Sequence, residues 1–479
     1  MPSSLSTPAC VVRLPTAERN AKKMLDKCKK LDLNFRPHVK THKTLEGALL
    51  QTGGKRSTII VSTLQELDFY VNRHNFTDVI YAIPFPVSKV KSEILQPFLF
   101  SKSSKEVLPD KGESSSSPKR RKKDEVNNTE QQKTPEEKVV HFLIDHVQQA
   151  EFLVKKAKIT KKLSVYVMVG GRSSTASQQE ASSKRKSGST VAAKKPNQDH
   201  LEQQHQPLQM HQAGLNPEGE EALDLMRFLL ANPKSFTLHG IYIHAAPAYS
   251  CQTQKECVEA FVEEATTAVE FAKRVYETCD QFEFPEITIG STPSCSFEIP
   301  NRYLPLQGKT FLPTAISRIN PNYKPKVFKL TELHCGNYLF FDQMQADLIK
   351  SCDISDVACF VKATVISIYE EKLLIDCGWT GMSAQGAEVN YGRILSHPEL
   401  KIKSLKQETG EVVVKDEEGG GKKAPRSMKI NLAAKYPVGT VITIAPFHSC
   451  AACHQYRSLV VEDAKENIVA TWERCSGHG

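Results

Sequence analysis

The chain has 479 residues, of which 40% are hydrophobic and 24% are charged, and its formal net charge is +9 at pH 7. This length suffices for two or three globular domains, each with a core of its own. The sequence contains no run of about 18 apolar residues, which excludes a membrane span. Its first residues do not combine a basic segment with an apolar one, so we expect no secretory signal and no contact with a membrane.

The cysteine count and the charge distribution indicate the cellular compartment and the partners of the protein. Thirteen cysteines without a framework spacing favour reduced thiols in a cytoplasmic protein. Residues 101–138 and 172–207 contribute +2 and +3 to the net charge, and both are rich in Ser, Gln and Lys. This composition predicts disordered insertions near 101–138 and 172–208. We expect no nucleic-acid partner, because acidic residues flank the run "PKRRKK" and no aromatic stacking platform accompanies it.

Strand and helix patterns alternate along the first two thirds of the chain. Thr16 is predicted to cap a helix whose apolar positions, from Ala21 to Leu31, recur at helical spacing. We expect the first strand at "PHVK" and helices at residues 63–74 and 256–279, among others. Seven further strands are predicted at residues 57–61, 78–83, 139–145, 163–169, 238–245, 286–290 and 331–340. Eight strands alternating with helices predict an α/β fold, a (β/α)8 TIM-type barrel.

The pattern changes after about residue 345. Stretches such as "ACFVKATVISIYEEKLLIDCGW" have strand character, with turns between them and no clear helix. A polar gap at about 411–428 is typical of a long hairpin or loop. The sequence therefore predicts a second, C-terminal β-rich domain.

Lys40 is the first candidate for chemistry. It stands in "NFRPHVKTHKT", at the end of the first predicted strand, which is the face of such barrels where active sites lie. A lysine whose protonation is disfavoured supplies the free amine that Schiff-base chemistry needs. A solvated basic loop is the alternative that these residues alone leave open.

Several motifs in the same order resemble the D-serine dehydratase family. They are "RPHVKTHKT", "VSTLQEL", "YAIPFP", "TIGSTPSCS", "TELHCGNYLFFD", "IDCGW" and "PFHSC". That family belongs, with the D-threonine aldolases, to the alanine-racemase-like, fold-type III pyridoxal-phosphate enzymes. The resemblance runs from Thr7 to near the end of the chain and is interrupted only by the polar insertions.

The resemblance implies a cofactor site and a domain organisation. Lys40 matches the lysine that carries pyridoxal 5'-phosphate, and Tyr249 matches a tyrosine near the cofactor. Residues 17–345 are then the cofactor-binding barrel, and residues 346–479 join residues 1–16 in the β-rich domain, with a homodimer as the expected assembly. Two segments match those that hold the cofactor phosphate: Gly290, Ser291 and Thr292, and Gly336, Asn337 and Tyr338. Without the resemblance, plain turns and a packed tyrosine remain alternatives.

His448 and Cys450 match the metal pair of the family. Imidazole with thiolate favours zinc, and we expect the two residues to alternate on an irregular strand end. Nearby Cys453 and His454 leave a different metal cluster open. The related aldolases carry an aspartate in place of the cysteine, so Cys450 favours the dehydratase.

The activity implied by the resemblance is β-elimination of a D-amino acid, D-serine, to pyruvate and ammonia. Departures from the family pattern leave two alternatives, D-threonine aldolase chemistry and a cofactor-binding homologue without turnover. Met168 stands near the position of an expected lysine, Gln212 replaces an arginine that would contact the cofactor, and Thr409 replaces a histidine.

Overall fold

A computed structural model describes residues 5–101, 138–170, 213–244, 246–298, 328–415, 431–475 and 477. The predicted insertions near 101–138 and 172–208 lie almost entirely outside these ranges, and Gln212 does as well. None of the described helices combines the length and the apolar character that a bilayer crossing requires.

The first sheet is a parallel barrel of eight strands in the order β2-β9-β8-β7-β6-β5-β4-β3. A parallel bridge between His38 and Ile60 joins its first and last members, with Val39 N–H donating to the Ile60 carbonyl at 3.0 Å. The strands are β2 Asn34–Phe35, β3 Thr58–Val61, β4 Asp78–Pro84, β5 Val139–Ile144, β6 Leu163–Met168, β7 Phe236–Ile243, β8 Glu286–Ile289 and β9 Glu332–Leu333. The predicted barrel is therefore confirmed.

Successive side chains along each barrel strand belong to two different hydrophobic cores. In β3, Ile60 belongs to a cluster with Tyr166, Met168 and Tyr242, whereas Ile59 belongs to the large cluster shared with the helices. Because neighbouring residues of a strand point to opposite faces, the first cluster fills the barrel and the second surrounds it. Both faces being buried explains why these strands are short, nearly continuous apolar runs.

Helices cover the outside of the barrel. The longest, Gln254–Thr278, starts where the Thr253 side chain accepts a hydrogen bond from Glu256 N–H, and it buries Phe261 and Ala265. The other helices of this region are Leu14–Lys30, Leu45–Gln51, Leu64–Leu67 with a π-helical continuation Asp68–Arg73, Gln96–Leu99, Val147–Glu151 with a continuation Phe152–Ala157, Glu220–Ala231 and Thr292–Ser296.

Three boundaries differ from the predictions. The first helix begins at Leu14 with Arg13 as its N-cap, because Pro15 suits the first turn, so the prediction of Thr16 as cap is wrong. The first strand ends at Phe35, and "PHVK" contributes only the bridge at His38 before turning. The strand predicted at 331–340 is restricted to Glu332–Leu333 and is followed by a 3-10 turn.

The second sheet joins the N-terminal strand to the C-terminal part of the chain. Strand β1, Ala9–Arg13, pairs antiparallel with β10, Cys359–Ile368, and parallel with β16, Ser458–Glu462. The remaining strands are β11 Leu373–Ile375, β12 Gly392–Ile394, β13 Leu400–Leu405, β14 Gly410–Val414, β15 Val441–Pro446 and β17 Ile468–Glu473. This sheet confirms the predicted second, β-rich unit; the exact division at residue 345 stays a prediction.

Three short helices stand where turns without a clear helix were predicted in this region. The helices are Trp379–Met382, Leu432–Lys435 and Ser449–His454. The start of the predicted polar gap belongs to β14, which pairs with β13. Residues 416–430 lie outside the described part of the chain.

Candidate active site

A cavity of about 720 Å³ opens where the barrel strands end and reaches the second sheet. Segments that directly follow β2, β7, β8 and β9 form one wall, and the segment after β15 forms another. Its lining includes nine predicted site residues: Lys40, Tyr249, Gly290, Ser291, Thr292, Gly336, Asn337, His448 and Cys450.

Tyr338 is the predicted site residue that the structure places elsewhere. Its ring is fully buried and meets Phe35 edge-on at 5.6 Å between centroids. It lines a second cavity together with Met24 and Lys27.

The side chain of Lys40 is exposed and lines the cavity. The backbone N–H of Lys40 donates a hydrogen bond to His38 Nδ1 at 3.3 Å. Three imidazoles line the same cavity: His38 and His334 are buried, and His244 is half-buried. Burial, and then the positive charge of Lys40, lowers the pKa of His244 to about 4. Burial and neighbouring positive charges, including that of Lys40, also hold the pKa values of His38 and His334 well below the usual range. All three rings are therefore neutral at pH 7.

The turn after β8 leaves no room for a side chain at its glycine. Gly290 has a φ of +150°, and a Cβ there would lie 2.0 Å from the His334 carbonyl oxygen. Its own carbonyl accepts a hydrogen bond from His244 Nδ1 at 3.0 Å. Gly336 is equally confined, since a Cβ would lie 2.3 Å from the His38 carbonyl. Two glycines thus let backbone segments meet at this wall.

Buried polar atoms at the same wall have no partner among the described residues. They are the Thr292 hydroxyl and His334 Nε2. An unpaired buried hydroxyl costs free energy unless a ligand satisfies it. A tight glycine turn, a hydroxyl donor and the amine of Lys40 are the groups that a phosphate-bearing aldehyde such as pyridoxal phosphate needs, so these residues fit that cofactor.

His448 and Cys450 lie at the start of the helix Ser449–His454, so the prediction of an irregular strand end is wrong. His448 Nδ1 hydrogen-bonds Asp342 Oδ2 at 2.9 Å, and the Cys450 sulfur lies 3.0 Å from the Thr41 hydroxyl. Although burial opposes protonation, Cys450 and Asp342 raise the pKa of His448 well above its usual value. A thiol beside an imidazole that a buried carboxylate orients is a donor set that fits zinc.

Asp342 is a site residue that the sequence reasoning missed. It is fully buried, and its Oδ2 also accepts hydrogen bonds from Ser449 N–H at 3.0 Å and from Asn337 Nδ2 at 2.7 Å. It stands in the quoted motif "TELHCGNYLFFD", as His334 does, and His244 directly follows β7. Both histidines fall inside the predicted strands 238–245 and 331–340, whereas the observed strands end directly before them, so the predicted strand bounds concealed their position at the active-site end of the barrel.

Two residues of the opening motif do not reach the cavity. Arg36 hydrogen-bonds Glu332 and Asp78, which begin β9 and β4 at the opposite end of the barrel. His42 is buried against Thr44 and Gln51. Of the three residues near Lys40 in that motif, His38 alone lines the cavity.

The departures from the family pattern fall in different places. Met168 is buried in the barrel interior with Tyr166 and Tyr242. Thr409 lies in the turn between β13 and β14, where its carbonyl accepts a hydrogen bond from Lys406 N–H at 2.8 Å. Neither residue lines the cavity among the residues that the structure describes.

Comparisons with known proteins point to one family. Residues 358–462 match the family model described as "Putative serine dehydratase domain". A D-serine dehydratase of Dictyostelium discoideum is 24% identical over 98% of this chain and 97% of its own. A D-serine dehydratase of Schizosaccharomyces pombe is 24% identical over 97% of this chain and 90% of its own. The solved structure of D-threo-3-hydroxyaspartate dehydratase from Delftia sp. HT23 superposes with a TM-score of 0.67 at 20% identity, covering 99% of this chain and 98% of that one.

Proposed function

We propose, since the chain belongs to the D-serine dehydratase family, that it converts D-serine to pyruvate and ammonia. The β-elimination removes one water from the amino acid, and hydrolysis of the resulting imine takes one water up again and releases the ammonia. Lys40 would carry pyridoxal phosphate, and His448 with Cys450 would hold zinc. One observation carries the proposal. The amine of Lys40, the confined glycine turn at Gly290 and the His448–Cys450 pair all open on a single cavity.

The cofactor supplies an electron sink for the substrate Cα when it is bound. The chain supplies the groups around it. Ser291, Thr292 and the turn at Gly290 would hold its phosphate, and Tyr249 packs beside Thr292. Burial raises the pKa of Tyr249 far above its usual value, so its hydroxyl stays protonated and neutral.

Lys40 Nζ is the proposed base that takes the α-proton of the substrate. The imidazoles of His38, His244 and His334 are neutral at pH 7, so they add no positive charge beside this amine.

Zinc at His448 and Cys450 would supply a Lewis acid for the departing β-hydroxyl. Asp342 fixes the imidazole of His448 through Nδ1, and Thr41 hydrogen-bonds the Cys450 sulfur. Thr41 directly follows Lys40, so the base and the metal pair are held by one short connection.

The charges of the cavity favour a neutral β-substituent. Lys40 is the lone lysine or arginine among the described lining residues, and Glu388 adds a carboxylate to the wall. A substrate with a β-carboxylate, such as 3-hydroxyaspartate, would meet repulsion from Glu388, and the described lining offers no lysine or arginine besides Lys40 to offset it. This supports D-serine as the substrate.

The test is pyruvate release from protein loaded with pyridoxal phosphate and zinc. D-Serine should yield pyruvate, L-serine should not, and Lys40→Ala should lower kcat by about 10² to 10⁴-fold. Lys55→Ala, an exposed lysine distant from the cavity, is the matched control and should retain full activity. Glycine and an aldehyde from D-threonine, without pyruvate from D-serine, would instead establish the aldolase.

A cofactor-binding homologue without turnover would be recognised by the same experiment. Borohydride would still attach the cofactor to the peptide containing Lys40, but no product would form from either enantiomer. We also propose a homodimer, as the family resemblance implies, and light scattering in solution tests that assembly.

A further inference from the structure

Three cysteines from distant parts of the chain meet inside the second sheet. Cys10 lies on β1, Cys359 begins β10, and Cys453 lies on the helix Ser449–His454. Their sulfur atoms are 3.5 Å apart for Cys10–Cys359, 3.8 Å for Cys10–Cys453 and 3.4 Å for Cys359–Cys453. All three side chains are buried. We call them the three-thiol cluster.

The spacing of the sulfurs matches a coordination sphere. Zinc–sulfur bonds of about 2.3 Å at tetrahedral angles place the sulfurs about 3.8 Å apart. The observed separations of 3.4 to 3.8 Å reach that geometry with shifts of a few tenths of an ångström. The three sulfurs also lie within 4.8 Å of one another, so a single ion can touch all of them.

A cation beside the cluster provides a second, independent observation. Arg474 is 8% exposed, and its Nη2 is buried without a hydrogen-bond partner among the described residues. The charge of Arg474 acts on the sulfur atoms of both Cys10 and Cys453. A buried guanidinium with an unpaired nitrogen indicates an environment built for negative charge.

We propose that the three-thiol cluster is a binding site for a thiophilic divalent metal ion of the zinc class, distinct from the His448–Cys450 pair. Binding would release three thiol protons to solvent and form three metal–sulfur bonds. The site would then carry one negative charge, which Arg474 neutralises. A monovalent ion such as copper(I) would leave one further negative charge uncompensated in the interior.

Such an ion would join the ends of the chain and support the cavity. Arg474 Nε donates to the His42 carbonyl at 2.9 Å, two residues beyond Lys40. Cys453 shares its short helix with Cys450. Metal in the cluster would therefore fix the helix that carries one cavity ligand and the arginine that supports the Lys40 turn.

The experiment is metal analysis of the full-length protein carrying Cys450→Ala, in which the cavity pair cannot contribute a thiolate. After growth with zinc and extensive desalting, we expect about one zinc ion per chain by mass spectrometry of the elements. Cys10→Ser in this background should abolish the bound zinc. Cys279→Ser, a buried cysteine outside the cluster, is the matched control and should retain it.

Cobalt substitution tests the ligands without any change in the cluster. Cobalt(II) bound by the Cys450→Ala protein should show an intense near-ultraviolet sulfur-to-metal charge-transfer band. Metal-free protein with every thiol titratable after denaturation would overturn the proposal, because the sulfurs would then merely be in contact. A mass about two hydrogen atoms lower under non-reducing conditions would also overturn it, because two of the thiols would form a disulfide. None of these outcomes depends on activity toward D-serine.

Discussion

The two ends of the barrel hold contrasting polar clusters, although the residues at their centres are four positions apart. At the amino ends of the strands, Arg36 is fully buried and hydrogen-bonds Glu332 at 2.9 Å and Asp78. At the carboxyl ends, Lys40 faces a cavity whose wall contains polar atoms that have no hydrogen-bond partner within the described part of the chain. Satisfied charges at one end stabilise the closed barrel, and unsatisfied donors at the other leave room for a ligand.

This contrast separates stability from chemistry. The ion cluster links the first residues of β4, β8 and β9 through Asp78, Glu286 and Glu332. The cavity end is held instead by backbone contacts of Gly290 and Gly336, which a side chain would disrupt. Changes at the amino end should therefore affect unfolding, and changes at the carboxyl end should affect binding and turnover.

The largest expected effect on the fold comes from Arg36→Ala. It removes the guanidinium from Asp78 and Glu286 and leaves Glu332 with no cationic partner among the described residues. Breaking a buried pair in this way costs about 3–5 kcal/mol in the free energy of unfolding. Urea unfolding measures the change. Arg56→Ala, at an exposed arginine, is the control and should alter the free energy by less than about 0.5 kcal/mol. An unchanged midpoint in Arg36→Ala would contradict the structural role of the cluster.

Gly290→Ala should weaken cofactor binding while leaving the ion cluster intact. The new methyl group would lie 2.0 Å from the His334 carbonyl, so the turn must shift at a cost of about 1–3 kcal/mol, or about 5- to 150-fold in affinity. Titration with pyridoxal phosphate, followed by absorbance, measures this affinity. Gly54→Ala is the control, because a Cβ there meets no atom within 4 Å although its φ is also positive.

Asp342→Asn should lower zinc affinity at the cavity by about 10- to 100-fold, because the imidazole of His448 loses its carboxylate partner. Competition with a chromophoric chelator gives the affinity. Asp347→Asn, which removes a half-exposed partner of Arg393, should leave zinc binding unchanged. Equal zinc affinities in the two variants would show that Asp342 does not support zinc binding.

The smallest expected effect is a pH dependence at the amino end. Burial opposes ionisation, but His239, Arg36 and Tyr166 lower the pKa of Glu286 from 4.5 to about 2. A lowered pKa means that the stabilisation is complete above about pH 4.5 and is lost as the pH falls toward 2. The difference in unfolding free energy between the protein and Glu286→Gln should therefore shrink over that interval. If this difference in unfolding free energy grew toward pH 2, the ionised Glu286 would be destabilising and the prediction would be wrong.

Much of the barrel could be predicted because its strands are short, buried on both faces and rich in β-branched residues, as "TIIV" in β3 illustrates. Lys40 and Gly290 could be placed at the cavity because each follows a strand. The sequence could not predict that Arg36 and Lys40 lie at opposite ends of the barrel, because their positions depend on the turn that follows the His38–Ile60 bridge. Asp342 was hidden because it meets His448 across 106 residues.

The placement of β1 sets an order for the assembly of the chain during synthesis. Cys10 and Cys359 are 349 residues apart, yet their strands are hydrogen-bonded neighbours. Most barrel strands pair with the next strand in the chain and can associate as the ribosome releases them. Strand β1 must instead wait for β10 and β16, so both of its edges lack these partners until the chain has been made as far as Glu462.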